Sequence, residues 1–320
     1  MGKMVFRKMV FYVNKCPMGN YKKFNNIMNK YLYIFLLGTV ALLFSACDKI
    51  EKPYMTANNN VDTAECPTPT FPSLSNIKRK IMLEEFTGHK CPNCPTGAAI
   101  ASTLLTTYGS QLAVVAIHAG YFATADASGD FTANFSTPEG EELATNFSVT
   151  ANPIGMVNRT KYNSSTLINT GDWNTAISNI INQPAKMYLQ TISQMKGIDS
   201  SFCIFTKVNF LASMQGEYNL CVFITEDSIV APQATNDVTN YPSGVISDYR
   251  HNHVLRKVLG GTWGKNIANG QVYADSSKVQ SYKLIPLTDW KLSHCEIVSF
   301  VYNTDTQEIV QVDKIPLLGN

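Results

Sequence analysis

Two rhythms of apolar residues divide the chain. From Lys78 to about Pro184, strand-like and helix-like runs alternate. Lys78–Phe86 reads as a first strand, and Thr96–Tyr108 sets Ala99, Ile100, Thr103 and Leu104 at helical spacing before Gly109 stops the run. Leu112–His118 is a continuous apolar stretch rich in Val and Ile, the pattern of a strand buried on both faces. This strand–helix–strand order predicts a right-handed crossover. Gly120–Thr137 reads as a loop. Thr137-Pro138-Glu139 then opens a short helix to about Phe147, with Thr as N-cap, Pro at the first helical position and acids in the first turn. Val149–Val157 carries Pro153 where a strand begins, a place where the missing N–H is tolerated. Asp172–Ile181 is a last amphipathic helix, broken by Asn182-Gln183-Pro184.

From Ala185 the period drops to two. Met187–Ile192, Phe202–Phe210, Tyr218–Thr225, Val254–Leu259, Tyr282–Pro286, Glu296–Tyr302 and Ile309–Ile315 read as strands. Gln215-Gly216, Gly260-Gly261 and Asn269-Gly270 are expected to separate them as turns. Short strands in series without a convincing helix predict an antiparallel β-sandwich.

The N-terminal segment changes the charge and the compartment. Lys30 precedes the apolar run Tyr31–Ala46, about 16 residues long and too short to span a bilayer comfortably, and the run ends at Cys47. Ser45 and Ala46 before that cysteine resemble a lipoprotein signal, with Cys47 as the lipidated residue and membrane partner. An uncleaved N-terminal anchor is the alternative. Met28 is a candidate start of a compact signal, and residues 1–27 stay outside the fold argument. The sequence holds 26 basic and 24 acidic residues. Seven of the basic ones and none of the acids lie in residues 1–46, so the mature chain carries 19 against 24, a net charge of −5. That argues against a nucleic-acid partner, which requires a basic face to neutralise phosphates. Asp48–Ser75, rich in Pro, Asn, Thr and Ser, reads as a tether.

Export also governs the eight cysteines, of which six remain after Cys16 and Cys47: Cys66, Cys91, Cys94, Cys203, Cys221 and Cys295. Cys91 and Cys94, two residues apart where a strand hands over to a helix start, form a thiol–disulfide motif. The helix's unpaired N–H groups and positive end favour a thiolate there, and the spacing lets the second sulfur resolve a mixed disulfide on the first. Lys90 adds a cation. A static bridge is the alternative, and zinc lacks a second half-site. Of the other four, Cys203–Cys221 across neighbouring strands is a plausible bridge, with buried free thiols as the alternative. His251 and His253 share one face if Tyr249–Leu255 is a strand, with Arg250 and Arg256 opposite. Asp62-Thr63-Ala64 and Asp227-Ser228-Ile229 look like bacterial O-glycosylation signals. No cofactor motif stands out.

Cys91, Cys94 and Pro153, in that order and with about sixty residues before the proline, resemble the thioredoxin fold. The resemblance implies a cis-proline packed against the active-site disulfide. The chain departs from that pattern in His89-Lys90 before Cys91 and in Pro92-Asn93 between the cysteines. The signal, the tether, EEFTGHKCPNCP, the Asn152-Pro153 segment and HNHVLRKVLGG together resemble the 28-kilodalton outer membrane protein (lipoprotein) family over nearly all of residues 47–320. The resemblance implies residues 1–46 as signal peptide, 47–76 as lipidated tether, 77–184 as a thioredoxin-like domain and 185–320 as an immunoglobulin-like β-sandwich. It implies an outer-membrane address. For function it leaves thiol–disulfide exchange on exported proteins, or a non-enzymatic surface adhesin or receptor.

Overall fold

Strand β1 (Ile81–Thr87) is buried along its whole length and sorts its side chains by parity. Ile81 and Leu83 enter one core with Leu104, Val114, Trp173 and Ile177. Met82 and Phe86 enter another with Val115, Ile117, Phe223, Val298 and Phe300. A strand sandwiched this way is buried on both faces, and each apolar side chain fully buried contributes about 1.5–3 kcal/mol. The computed structural model describes residues 66–196 and 201–319. Cys47, Asp62-Thr63-Ala64 and the expected signal lie outside these residues.

After β1 come helix α1 (Cys94–Tyr108) and strand β2 (Leu112–His118), parallel to β1. Helix α2 (Pro138–Asn146) starts where its cap pattern predicts: the Thr137 hydroxyl accepts from the Gly140 N–H at 3.0 Å, with Glu139 and Glu141 in the first turn. Strand β3 (Ile154–Val157) begins directly after Pro153 and runs antiparallel to β1. Helix α3 (Trp173–Ile180) follows.

The remainder is β-structure: β4 (Met187–Lys196), β5 (Ser201–Phe210), β6 (Met214–Glu226), β7 (Ile229–Val230), β8 (Gln233–Ala234), β9 (Val245–Ile246), β10 (Arg250–His251), β11 (Val254–Leu259), β12 (Lys265–Val272), β13 (Ser277–Leu284), β14 (Cys295–Asn303) and β15 (Ile309–Pro316). The chain is thus mostly sheet with few helices. One sheet has the order β15-β14-β6-β11-β2-β1-β3, with β12 also on β6. The link between its halves is short: Val254 pairs with Ala116, and the Ala116 N–H donates to the His253 carbonyl at 2.8 Å. A second sheet, β13-β5-β4, buries Phe202, Ile204, Phe210 and Tyr282 in one core with Val222, Ile224 and Ile297 of the first.

Two predicted turns are strand interiors. Gly216 lies in β6 and Gly270 in β12, and they face each other across the ladder. Both have positive φ, +143° and +91°, so glycine here lets two paired strands twist rather than reverse. The expected Cys203–Cys221 bridge is corrected: Cys203 is bonded to Cys66, and Cys221 and Cys295 are buried free thiols. Strands β5 and β6 belong to different sheets, so the neighbouring-strand geometry that bridge needed does not exist.

Where the two halves meet, a buried ion pair replaces apolar packing. The Arg159 guanidinium donates twice to the Glu84 carboxylate, at 2.7 and 2.6 Å. It also lies 5.1 to 5.4 Å from the ring centres of Phe147, Phe300 and Tyr302. Glu84 is the even-parity acid of β1; its neighbour Glu85 points the other way, toward α1.

Candidate redox site

The turn Gly88–Asn93 joins β1 to α1. Gly88 is required there, because a Cβ would stand 2.5 Å from the Phe122 carbonyl carbon. The Lys90 N–H donates to that Phe122 carbonyl at 3.0 Å, and the Cys91 N–H to Gly88 at 3.0 Å. Cys94 opens α1, followed by Pro95, whose absent N–H costs nothing in a first turn. Cys91 and Cys94 are disulfide-bonded, with 5.4 Å between their Cα atoms. The Asn152–Pro153 peptide is cis. The Pro153 ring packs on Gly97, in the same helical turn as Cys94: a Cβ on Gly97 would be 2.9 Å from Pro153 Cβ and 2.8 Å from Glu85 Oε1. Tertiary structure therefore brings Cys91, Cys94 and Pro153 to one helix end.

Glu85 is the residue that sequence reading passed over. Its carboxyl is buried, Oε1 has no hydrogen-bond partner, and desolvation pushes its pKa from 4.5 up to about 8. The available signal was an acid in an apolar strand, six residues before Cys91. A cavity of about 70 Å³ adjoins it, lined among others by Glu85, Cys94, His118, Gln233, Tyr249 and His251. Burial, and then the Glu85 charge, push the Tyr249 phenol up to about 12.

Three histidines surround Phe135. Its ring centre is 5.7 Å from that of His89, 5.0 Å from His118 and 4.7 Å from His251. Burial lowers the pKa of all three, that of His251 to about 4, so they are neutral at pH 7. The expected shared face of His251 and His253 is corrected. Strand β10 ends at His251, and His253 takes a positive φ of +56° that turns its ring to Asp227, 3.0 Å away. Arg256 pairs with Glu226 and Asp289, as a structural arginine does. Among the described residues one set of three metal-type donors converges, Asp227, His253 and Glu296, and the Lys314 ammonium already stands 3.0 Å from Glu296. Lys90 does not aim its charge at Cys91. Its ammonium is held by Asp126 at 2.9 Å and Thr124 at 2.7 Å.

Residues 141–317, more than half of the chain, match the family model of outer membrane protein Omp28. The chain belongs to the Omp28 family. Its address is accordingly the outer membrane, as a lipid-anchored protein, and among the described residues no helix is long and apolar enough to cross a membrane. The Omp28 match includes Pro153 and begins after Cys91 and Cys94. Among solved structures, HBP35 of Porphyromonas gingivalis is similar in fold: TM-score 0.56 at 16% identity, over 76% of this chain and 77% of that one. A structural-genomics protein from Agrobacterium tumefaciens matches at TM-score 0.47 and 16% identity, over 77% of this chain and 97% of that one. A domain of the outer membrane lipoprotein Omp28 from Porphyromonas gingivalis matches at TM-score 0.28 and 18% identity, over 42% of this chain and 88% of that one. No curated protein matches in sequence.

Proposed function

We propose that this Omp28-family protein is anchored through Cys47 and carries out thiol–disulfide exchange on exported proteins at Cys91 and Cys94. In this reading residues 77–184 form a thioredoxin-like domain, and residues 185–320 an immunoglobulin-like sandwich that positions the partner. The observation that carries it is the convergence at one helix start: the Cys91–Cys94 bridge, the Pro153 ring on the same turn, and the buried Glu85 carboxyl beside Gly97.

The exchange follows from these positions. A partner thiolate attacks Cys91 Sγ, forming a mixed disulfide and breaking the Cys91–Cys94 bond. The electron pair leaves on Cys94, and Glu85, protonated at pH 7, supplies the proton that makes it a neutral thiol. A second partner thiol then attacks the partner sulfur of the mixed disulfide, releasing Cys91 as thiolate. The partner has lost two electrons and the protein has gained them; the reverse sequence reduces a partner disulfide. Cys91 is the attacked sulfur because it precedes the helix, while Cys94 is fixed within its first turn.

Trapping tests this. A Cys94→Ser protein, whose Cys91 thiolate attacks a partner disulfide and expels one of its sulfurs as a thiolate, accumulates a mixed disulfide that cannot be resolved, and a Cys91→Ser protein does not. Absence of a trapped species from both refutes exchange. Burial of both cysteines, at 1% and 2% residue exposure, favours a second reading in which the bridge is a static staple in an adhesin or receptor. The reduction potential separates the two: roughly −120 to −270 mV suits exchange, and a value below about −300 mV marks a staple.

A further inference from the structure

Cys91 and Cys94 are buried, and a segment of the chain's own C-terminal half is bonded to the turn that carries them. Residues 233–236, which begin with strand β8, run between two edges. On one side Gln233 and Ala234 pair with Ile246 and Val245 of β9, and the Thr235 N–H donates to the Gly244 carbonyl at 2.9 Å. On the other side the donors all go to the cysteine turn. The Ala234 N–H donates to the His89 carbonyl at 2.8 Å and the Asn236 N–H to the Pro92 carbonyl at 3.2 Å. The Gln233 amide donates to the Cys91 carbonyl at 2.9 Å, and the Asn236 amide meets the Asn93 side chain. Alternate N–H groups thus face alternate edges, the period of a β-strand. The turn that presents Cys91 is already serving as a sheet edge.

We propose that Gln233–Asn236 is a strap that closes the redox site, and that an extended segment of a partner must displace it, taking over the carbonyls of His89 and Pro92, before Cys91 reacts. The proposal rests on the exchange reading and adds regulation of its site. The strap's construction suits opening at its tip. Beyond Asn236, residues 237–243 at the arm's far end are exposed. Its base is held separately by β7 pairing with β10 and by the Ala231 N–H donating to Tyr249 at 3.1 Å, so the strap swings without unfolding the sheet. Segments with few buried contacts open at the lowest free energy. An incoming peptide with N–H donors two residues apart matches the groups the strap now satisfies.

The test uses the purified full chain in its oxidised form. Reduction by dithiothreitol is followed by alkylation of the released thiols, while hydrogen exchange reports the amides of Ala234 and Asn236. In wild type the reduction rate reaches a ceiling as dithiothreitol rises, because opening becomes limiting. In Gln233→Ala/Asn236→Ala that ceiling rises roughly tenfold, as expected for two lost hydrogen bonds, and the two amides exchange faster in step. Asn236→Ala alone, at an exposed position, shows a smaller rise and guards against misfolding of the double variant. A rate linear in dithiothreitol throughout and equal in all three proteins overturns the strap. The same substitutions in the Cys94→Ser background, mixed with a cysteine peptide activated as its mixed disulfide, separate this idea from exchange itself. Trapping equally fast with and without the strap contacts refutes the strap and keeps exchange. Faster opening with no trapping keeps the strap and refutes exchange.

Discussion

Glu85→Gln is the sharpest probe of the site's electrostatics, because it keeps the shape and removes the ionisation. Glu85 titrates at its ordinary 4.5 in the unfolded chain and at about 8 when buried. Below pH 4.5 both states hold the proton and ionisation contributes nothing. Between 4.5 and 8 only the unfolded chain releases it, so stability falls by about 1.36 kcal/mol for each pH unit. The interval spans about 3.5 units, so the loss levels off above pH 8 at about 5 kcal/mol. This is an upper figure for a site that admits no water, and the adjoining cavity can soften it. The histidines act in the opposite sense. His118 and His251 have lowered values, so the unfolded chain takes up protons first as pH falls through about 6.5, and they destabilise the fold on the acid side. Both proteins contain them, so they cancel in the difference. Urea unfolding of both oxidised proteins at pH 4.5, 6 and 9 measures it. The variant gains steadily on wild type as pH rises, by up to about 5 kcal/mol at pH 9 relative to pH 4.5. A difference independent of pH would mean that Glu85 is neither desolvated nor able to hold a proton for Cys94.

Two further outcomes test the frame around the site. Glu84→Gln leaves the Arg159 charge buried among three aromatic rings without its partner, and should cost about 3–5 kcal/mol in urea unfolding. A loss under about 1 kcal/mol would show that water reaches the guanidinium. Replacing Cys66 and Cys203 by Ala together opens a bridge between residues 137 apart in sequence. The chain-entropy argument gives a loss of about 2–5 kcal/mol, read by thermal unfolding under non-reducing conditions. An unchanged midpoint would place the Cys66 segment outside the cooperative fold.

Part of this protein was legible because it is local. Among the described residues the helices α1, α2 and α3 stand close to their periodic patterns, and Thr137 caps α2 where its neighbours in sequence say it should. The spacing of Cys91 and Cys94 placed the bridge at a helix start for the same reason. Residue type was equally telling for β2, whose unbroken apolar run requires a strand covered on both faces.

Other features depend on partners far along the chain, and no window of sequence contains them. Asn269-Gly270 is a turn by local preference, yet it faces Gly216 in a ladder because β6 passes beside it. Cys203 pairs with Cys66 because β5 and β6 part into separate sheets. His251 has the chemistry of a metal ligand and the surroundings of a core residue, since Phe135 and His118 close over it. Glu85 is an ordinary acid until α1 and the Pro153 turn exclude water from it. The sequence alone determined where chain direction and thiol chemistry lie, since backbone preference and residue spacing are set within a few neighbours. Only the tertiary structure decided which groups are dry, paired or covered, because desolvation and strand pairing arise between segments brought together by folding.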